Sequence, residues 1–142
     1  MTTHSGLDLR QVYTNPDRYA AILWDLLKER KPEANISHKQ MPSMRQHLAF
    51  IDSKPYRMWA VITKDETPVG ACYLTEAYEI GIQIFERWQG NGFGAWAVGR
   101  IIAMNPTQRL LANINPKNES SIRMFEKLGF THIQNTYELR KP

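Results

Sequence analysis

The run Ile80-Gly81-Ile82-Gln83-Ile84-Phe85-Glu86-Arg87-Trp88-Gln89-Gly90-Asn91-Gly92-Phe93-Gly94-Ala95 decides how this chain is organised. Ile80, Ile82 and Ile84 alternate with Gly81 and Gln83, which is the period of a strand, and residues 95–104 after the glycines read as a helix. The result is strand, glycine turn, helix. Glycines at 90, 92 and 94 remove the Cβ atoms that would hold a ligand off the backbone. The helix start adds unpaired N–H groups and the positive end of its dipole. A pyrophosphate suits such a turn. Gly90-x-Gly92-x-x-Ala95 also fits the dinucleotide fingerprint, but the acidic residue expected about 20 positions on is missing from residues 109–114. A Walker A loop fails because no Gly-Lys-Ser/Thr follows the glycines. A plain strand-to-helix turn stays open on this segment alone.

A second segment, Asn118-Glu119-Ser120-Ser121 leading to Phe125-Glu126-Lys127-Leu128-Gly129-Phe130, predicts a helix over residues 119–128. Asn118 is a good N-cap, Ile122, Phe125 and Leu128 form an apolar stripe, and Gly129 stands where a left-handed C-cap residue is wanted. Taken together, the two segments resemble the GNAT N-acetyltransferase family. Its acyl-CoA loop, Gln/Arg-x-x-Gly-x-Gly/Ala, is matched by Gln89-x-x-Gly92-x-Gly94 and, shifted two residues earlier, by Arg87-x-x-Gly90-x-Gly92. The Gln89 frame is preferred, because the family places Gly directly after the Gln/Arg and an apolar residue between the last two glycines. A strand at 110–114, Asn118-x-x-Ser121 and Leu128-Gly129-Phe130 then stand in the family's order.

With 142 residues and 42% hydrophobic content, the chain can bury one substantial core, so residues 1–142 are expected to form a single domain. The first residues lack an apolar signal region and no apolar run reaches membrane-spanning length, so a cytoplasmic protein with no membrane partner is expected. Cys72 stands alone inside an apolar strand, where burial is the expected role. The histidines at 4, 38, 47 and 132 show no ligand spacing, so no metal site is expected. A net charge of +4 suits an anionic partner, and a carrier with several phosphates accounts for it. Only Lys54-Pro55-Tyr56-Arg57-Met58-Trp59 interleaves basic and aromatic residues, and its second half reads better as a strand, which argues against a nucleic-acid partner.

Elsewhere, residues 7–13 alternate as a first strand, and Asn15-Pro16 opens a helix over 17–30. Residues 31–41 read as a loop. Ser43 and Gln46 make a capping box for a second helix to about residue 51. Strands at 58–63 and 68–74 form a hairpin that leads to a strand at 79–85. Residues 131–134 and 136–139 read as final strands. On propensity this is α/β or α+β. The resemblance implies a GNAT-like fold, a central mixed, mostly antiparallel sheet of about seven strands flanked by about four helices.

The resemblance further implies an acyl-CoA-dependent N-acetyltransferase, with acetyl-CoA as co-substrate and direct attack by a primary amine in a ternary complex. The implied acyl-CoA-binding residues are Ile84, Phe85, Gln89, Gly90, Asn91, Gly92, Phe93, Gly94, Ala95, Asn118 and Ser121. A backbone N–H at Ile84 or Phe85 would meet the thioester oxygen. Glu79, on the strand face shared by Gly81 and Gln83, is the expected base, with His47, Asp52 and Glu76 in reserve. The family's usual acid is a tyrosine four residues beyond the Ser of Asn-x-x-Ser, and Phe125 occupies that place, leaving Tyr73, Tyr137 or an unassisted thiolate. Residues 35–39 and 45–50 are expected on the acceptor side. A small molecule, a nucleotide-linked amino sugar and a protein all stand open as acceptor, and so does a homodimer. The competing classes are a non-catalytic acyl-CoA-binding or interaction module and an acyltransferase that modifies nucleic acid.

Overall fold

The computed structural model of the chain describes residues 5–30 and 41–141. The sequence loop at 31–41 therefore lies outside the described residues except for Met41, as do residues 35–39 of the expected acceptor side. Strand β1 (Leu7–Gln11) passes through a 3-10 turn (Val12–Thr14) into helix α1 (Pro16–Glu29), and helix α2 (Met44–Asp52) follows. Strands β2 (Met58–Lys64), β3 (Thr67–Leu74) and β4 (Glu79–Ile84) then lead through a 3-10 turn (Glu86–Trp88) to helix α3 (Phe93–Met104), strand β5 (Leu111–Ala112) and helix α4 (Glu119–Lys127).

Local chemistry sets these boundaries. Asn15 accepts a hydrogen bond from the Arg18 N–H at 3.3 Å and Pro16 opens α1, where its missing N–H costs nothing. The α2 capping box closes in both directions, Gln46 N–H to Ser43 Oγ at 3.1 Å and Ser43 N–H to Gln46 Oε1 at 2.8 Å. Asp65 and Glu66, with φ of 49° and 70°, make the tight β2–β3 turn without glycine. Helix α4 ends on left-handed Gly129 in a Schellman arrangement: Phe130 N–H reaches Phe125 O and Gly129 N–H reaches Glu126 O, both at 3.0 Å.

The sheet runs β1-β2-β3-β4-β5, antiparallel throughout except for parallel β4 and β5. Each face buries a core. Ala60, Ile62, Cys72, Leu74 and Ile80 pack on Ala97, Val98 and Ile101 of α3 and on Phe125 of α4. On the other face Trp59, Val61 and Ala71 meet Tyr19, Leu23 and Leu26 of α1 and Ile51 of α2. Covered on both sides, β2 is buried over five consecutive residues.

Five strands form among the described residues, not about seven. Residues 131–141 carry no regular structure and are exposed throughout, and β5 is shorter than the expected 110–114. The reason is that a strand needs a partner ladder as well as an alternating sequence. Residues 131–139 have the alternation, but they pair with no strand among the described residues.

Candidate active site

Where β4 and β5 separate, the sheet opens. They pair only at Glu79 with Leu111 and Ile80 with Ala112, and β4 then continues alone to Ile84. Phe85 N–H donates to Val69 O at 2.9 Å and Thr75 N–H donates to Glu79 O at 2.9 Å, so the odd-numbered residues of β4 direct their backbone groups toward β3. Those of Ile82 and Ile84 consequently face the side that β5 has left. The two expected carbonyl donors are thereby distinguished: the Phe85 N–H is engaged within the sheet, whereas that of Ile84 points into the fork.

At the end of β4 the glycine loop is built around its backbone. Gln89 turns back to donate from Nε2 to Ile84 O at 3.2 Å, and Asn91 Nδ2 donates to Trp88 O at 2.9 Å. Gly90 and Gly92 have φ of 83° and 77°, and a Cβ added at either would meet no atom within 4 Å. These glycines serve backbone conformation and leave the loop open, rather than relieving a clash. Gly92 caps α3 with no side-chain hydrogen bond, and no acidic residue lies in the first turn. The N–H groups of Phe93, Gly94 and Ala95 thus begin the helix without intrahelical partners or a competing carboxylate. This arrangement fits a phosphate-bearing ligand.

The second motif packs beside the first. A Cβ built on Gly94 would lie 3.4 Å from Met124 Sδ and 3.6 Å from Ile84 Cγ1, so α4 and β4 both abut the start of α3. Asn118 Oδ1 accepts from Ser121 N–H and from Ser120 Oγ, each at 3.3 Å, which makes Asn118 the N-cap and leaves the Ser121 side chain at the helix start. Phe125 is 3% exposed and sets its ring edge-on to Phe130 at 5.0 Å. The family's acid position is core here.

On the α1/α2 face of the fork stands Glu79. Asn113, the residue after β5, donates from Nδ2 to Glu79 Oε2 at 2.9 Å, while Thr75 Oγ1 accepts the Glu79 N–H at 2.9 Å. The space expected beside Gly81 is taken: a Cβ there would fall 2.0 Å from the Tyr73 ring, which pairs across β3 and β4 with Gly81 and stacks on Tyr56 at 4.0 Å. Burial pushes the Tyr56 hydroxyl well above the ordinary tyrosine range, with the charge of a neighbouring Tyr73 adding to it. Gln83, next on that face, donates to Leu26 O at 2.6 Å and ties β4 to α1.

The reserve bases divide by environment. His47 is 3% exposed, beside Trp24, with Nε2 2.9 Å from Ala20 O. It clasps α2 to α1. Glu76 pairs with Arg57 at 3.1 Å, whose guanidinium lies 4.5 Å from the centre of the Tyr78 ring, and Asp52 is exposed. Cys72 is fully buried and its thiol is pushed up to about 12 by desolvation. Reasoning from sequence missed Asn113 and the Tyr56–Tyr73 stack. The hairpin register sets Tyr73 opposite Gly81, and that small-next-to-large pair was the available signal.

No helix among the described residues is long and apolar enough to cross a membrane. The fold is shared with a domain from Methanocaldococcus jannaschii, at TM-score 0.77 and 22% identity over 93% of this chain and 92% of that one. It is shared too with yncA of Salmonella typhimurium, solved with acetyl-CoA, at TM-score 0.71 and 20% identity over 89% and 80%. In sequence the chain is 27% identical over 81 residues to the peptidyl-lysine N-acetyltransferase YjaB of Salmonella typhimurium. That match spans 57% of this chain and about half, 53%, of the relative. The acetyltransferase (GNAT) domain model matches residues 7–131, which include the forked sheet, the glycine loop and the Asn118 helix, and on that match the chain belongs to the GNAT acetyltransferase family.

Proposed function

We propose that the protein transfers an acetyl group from acetyl-CoA to a primary amine by direct attack within a ternary complex. The observation that carries this reading is the conjunction of an open β4 edge with an uncapped α3 start at the end of the same strand. The backbone of residues 89–95 would hold the pyrophosphate, with Asn118 and Ser121 beside it on α4. Ile84 N–H would donate to the thioester oxygen as negative charge develops there. Glu79, oriented by Asn113, would accept the proton of the attacking amine. The new bond joins the amine nitrogen to the acetyl carbon as the carbon–sulfur bond breaks. The sulfur departs as thiolate, because buried Phe125 offers no proton and a thiolate is a tolerable leaving group near neutral pH.

For the acceptor, the yjaB-type relative's peptidyl-lysine supplies one candidate class and small-molecule amines another; both present a primary amine, which is the group Glu79 would serve. Calorimetric titration with acetyl-CoA followed by mass spectrometry of a mixed pool of lysyl peptides, polyamines and amino sugars tests the proposal. Binding with a gain of one acetyl group on at least one amine is expected. Binding without transfer to any amine favours the acyl-CoA-binding module, and no binding at all removes the loop assignment.

A further inference from the structure

One position on the α1/α2 face of β4 has no side chain of its own. Along that face Glu79 is bonded to Asn113 and Gln83 donates to Leu26 O at 2.6 Å, while Gly81 between them leaves the backbone bare. The bare place is roofed from the neighbouring strand. A Cβ added at Gly81 would run into the Cζ, Cε2 and Cε1 atoms of Tyr73, so the hydroxyl end of that ring, not its base, lies over β4. Tyr56 stacks on the other face of the ring at 4.0 Å with 7° between the planes, and the edges of Trp59 and Phe50 meet Tyr56 at 4.8 Å and 5.7 Å. A single hydroxyl clips the main chain of Tyr56 in both directions: Tyr13 donates to Tyr56 O at 3.0 Å and accepts the Tyr56 N–H at 2.9 Å. The Tyr73 ring is thus held between the β4 backbone and a fixed second ring.

The space over Gly81 is the way out for a longer acyl chain. The three groups on a thioester carbon lie in one plane. With the oxygen on the Ile84 N–H and the sulfur toward residues 89–95 beyond the end of β4, the acyl chain would point back along β4 toward Ile82 and the closed end of the fork. That end stops it, because Ile80 pairs with Ala112 and paired strands lie about 4.8 Å apart, too close to admit an alkyl chain. The α3/α4 face beneath is filled: a Cβ on Gly94 would lie 3.4 Å from Met124 Sδ, 3.6 Å from Ile84 Cγ1 and 3.7 Å from Ile82 Cγ1. The remaining exit is over Gly81, and Tyr73 occupies it.

We propose, resting on the acetyl-transfer reading above, that Tyr73 sets the length of acyl chain the protein accepts. Acetyl and propionyl groups fit beside the ring, and acyl-CoA donors with butyryl or longer chains are turned away. The ring acts by its volume, so its hydroxyl is not required for the selection.

Calorimetric titration of the full chain with acetyl-, propionyl-, butyryl- and hexanoyl-CoA tests this on binding, whichever amine is the acceptor. Wild-type affinity for hexanoyl-CoA should lie at least about tenfold below that for acetyl-CoA, and Tyr73→Leu, which withdraws the end of the side chain from Gly81, should bring the two within about threefold. Tyr56→Leu frees the ring from above and should give an intermediate ratio. Tyr73→Phe should keep the wild-type ratio. Circular dichroism checks that each variant folds, and if Tyr73→Leu does not, Tyr56→Leu carries the comparison. Equal wild-type affinity for acetyl- and hexanoyl-CoA, an acetyl preference unchanged in the folded Tyr73→Leu and Tyr56→Leu variants, or a preference lost in Tyr73→Phe overturns the role of Tyr73 and leaves the acetyl-transfer reading standing. No affinity for acetyl-CoA overturns that reading, and the role of Tyr73 with it.

Discussion

The two sides of the β4 fork are built from different materials. On the α3/α4 side, the candidate ligand surface is backbone: an uncapped helix start, two left-handed glycines and an open strand edge. On the α1/α2 side it is side chain, with Tyr73 from β3, Glu79 and Gln83 from β4 and Asn113 from the residue after β5, and Gln83 bonded to α1. On the proposed function, the backbone site would recognise a group common to many ligands, a phosphate, and would tolerate side-chain variation around it. On the same reading, the side-chain site is where selectivity among amines would reside.

The sharpest way to test this division is Glu79→Gln, which keeps size and polarity but cannot accept a proton. If the α1/α2 side performs the proton transfer, kcat/KM for the true acceptor should fall about 10²- to 10⁴-fold, while calorimetric affinity for acetyl-CoA stays near wild type. Part of the loss should return at high pH, where more of the amine is already neutral. Wild-type turnover across the pH range would take Glu79 out of the mechanism and leave the side-chain half without a chemical role.

A pair of alanine substitutions asks how each side is packed. Gly81→Ala drives a Cβ to 2.0 Å from the Tyr73 ring and must displace the Tyr73–Tyr56 stack, so a stability loss of about 1–3 kcal/mol by denaturant unfolding is expected. At Gly94 a Cβ meets its nearest atom at 3.4 Å, ordinary contact, so Gly94→Ala should unfold within about 1 kcal/mol of wild type. Gly92 is the poorer probe, because its φ of 77° strains any side chain before a ligand is considered. Equal stability losses at Gly81 and Gly94 would contradict the contrast in packing.

The smallest effect is expected at Cys72, in the core beneath α3 and α4 and outside the proposed chemistry. Its thiol titrates near 9 in an unfolded chain and is pushed up to about 12 when buried. Below the unfolded value both states hold the proton and stability is full. As pH rises from about 9 toward 12 only the unfolded state releases it, so stability declines across that window. Cys72→Ala should flatten this slope and leave turnover near neutral pH unchanged; an unaltered slope would assign the alkaline loss to other groups.

Much of the backbone-built side of the fork was legible in the sequence. The glycine spacing, the Asn118 and Ser43 caps and the alternation of Ile80, Ile82 and Ile84 are local patterns, and local patterns act through the nearest few residues of backbone. The side-chain face of the fork was legible only at Glu79. Asn113 lies 34 positions from Glu79 in the chain, and Gln83 lies 57 from Leu26, so neither pairing leaves a mark in a window of sequence. His47 and Phe125 look alike in sequence as candidate-site positions, yet both are buried, one bonded across helices and the other packed in the core.

The sequence by itself therefore determined the types of the elements up to α4, their caps, the phosphate-suited turn and the family it resembles, because propensity, capping and glycine conformation are properties of neighbouring residues. Tertiary structure alone decided that the Phe85 N–H is engaged while that of Ile84 faces the fork, that Tyr73 fills the space over Gly81, and that residues 131–139 stay unpaired. Each of those depends on which strand lies alongside, and strand pairing is a long-range choice made by the whole sheet.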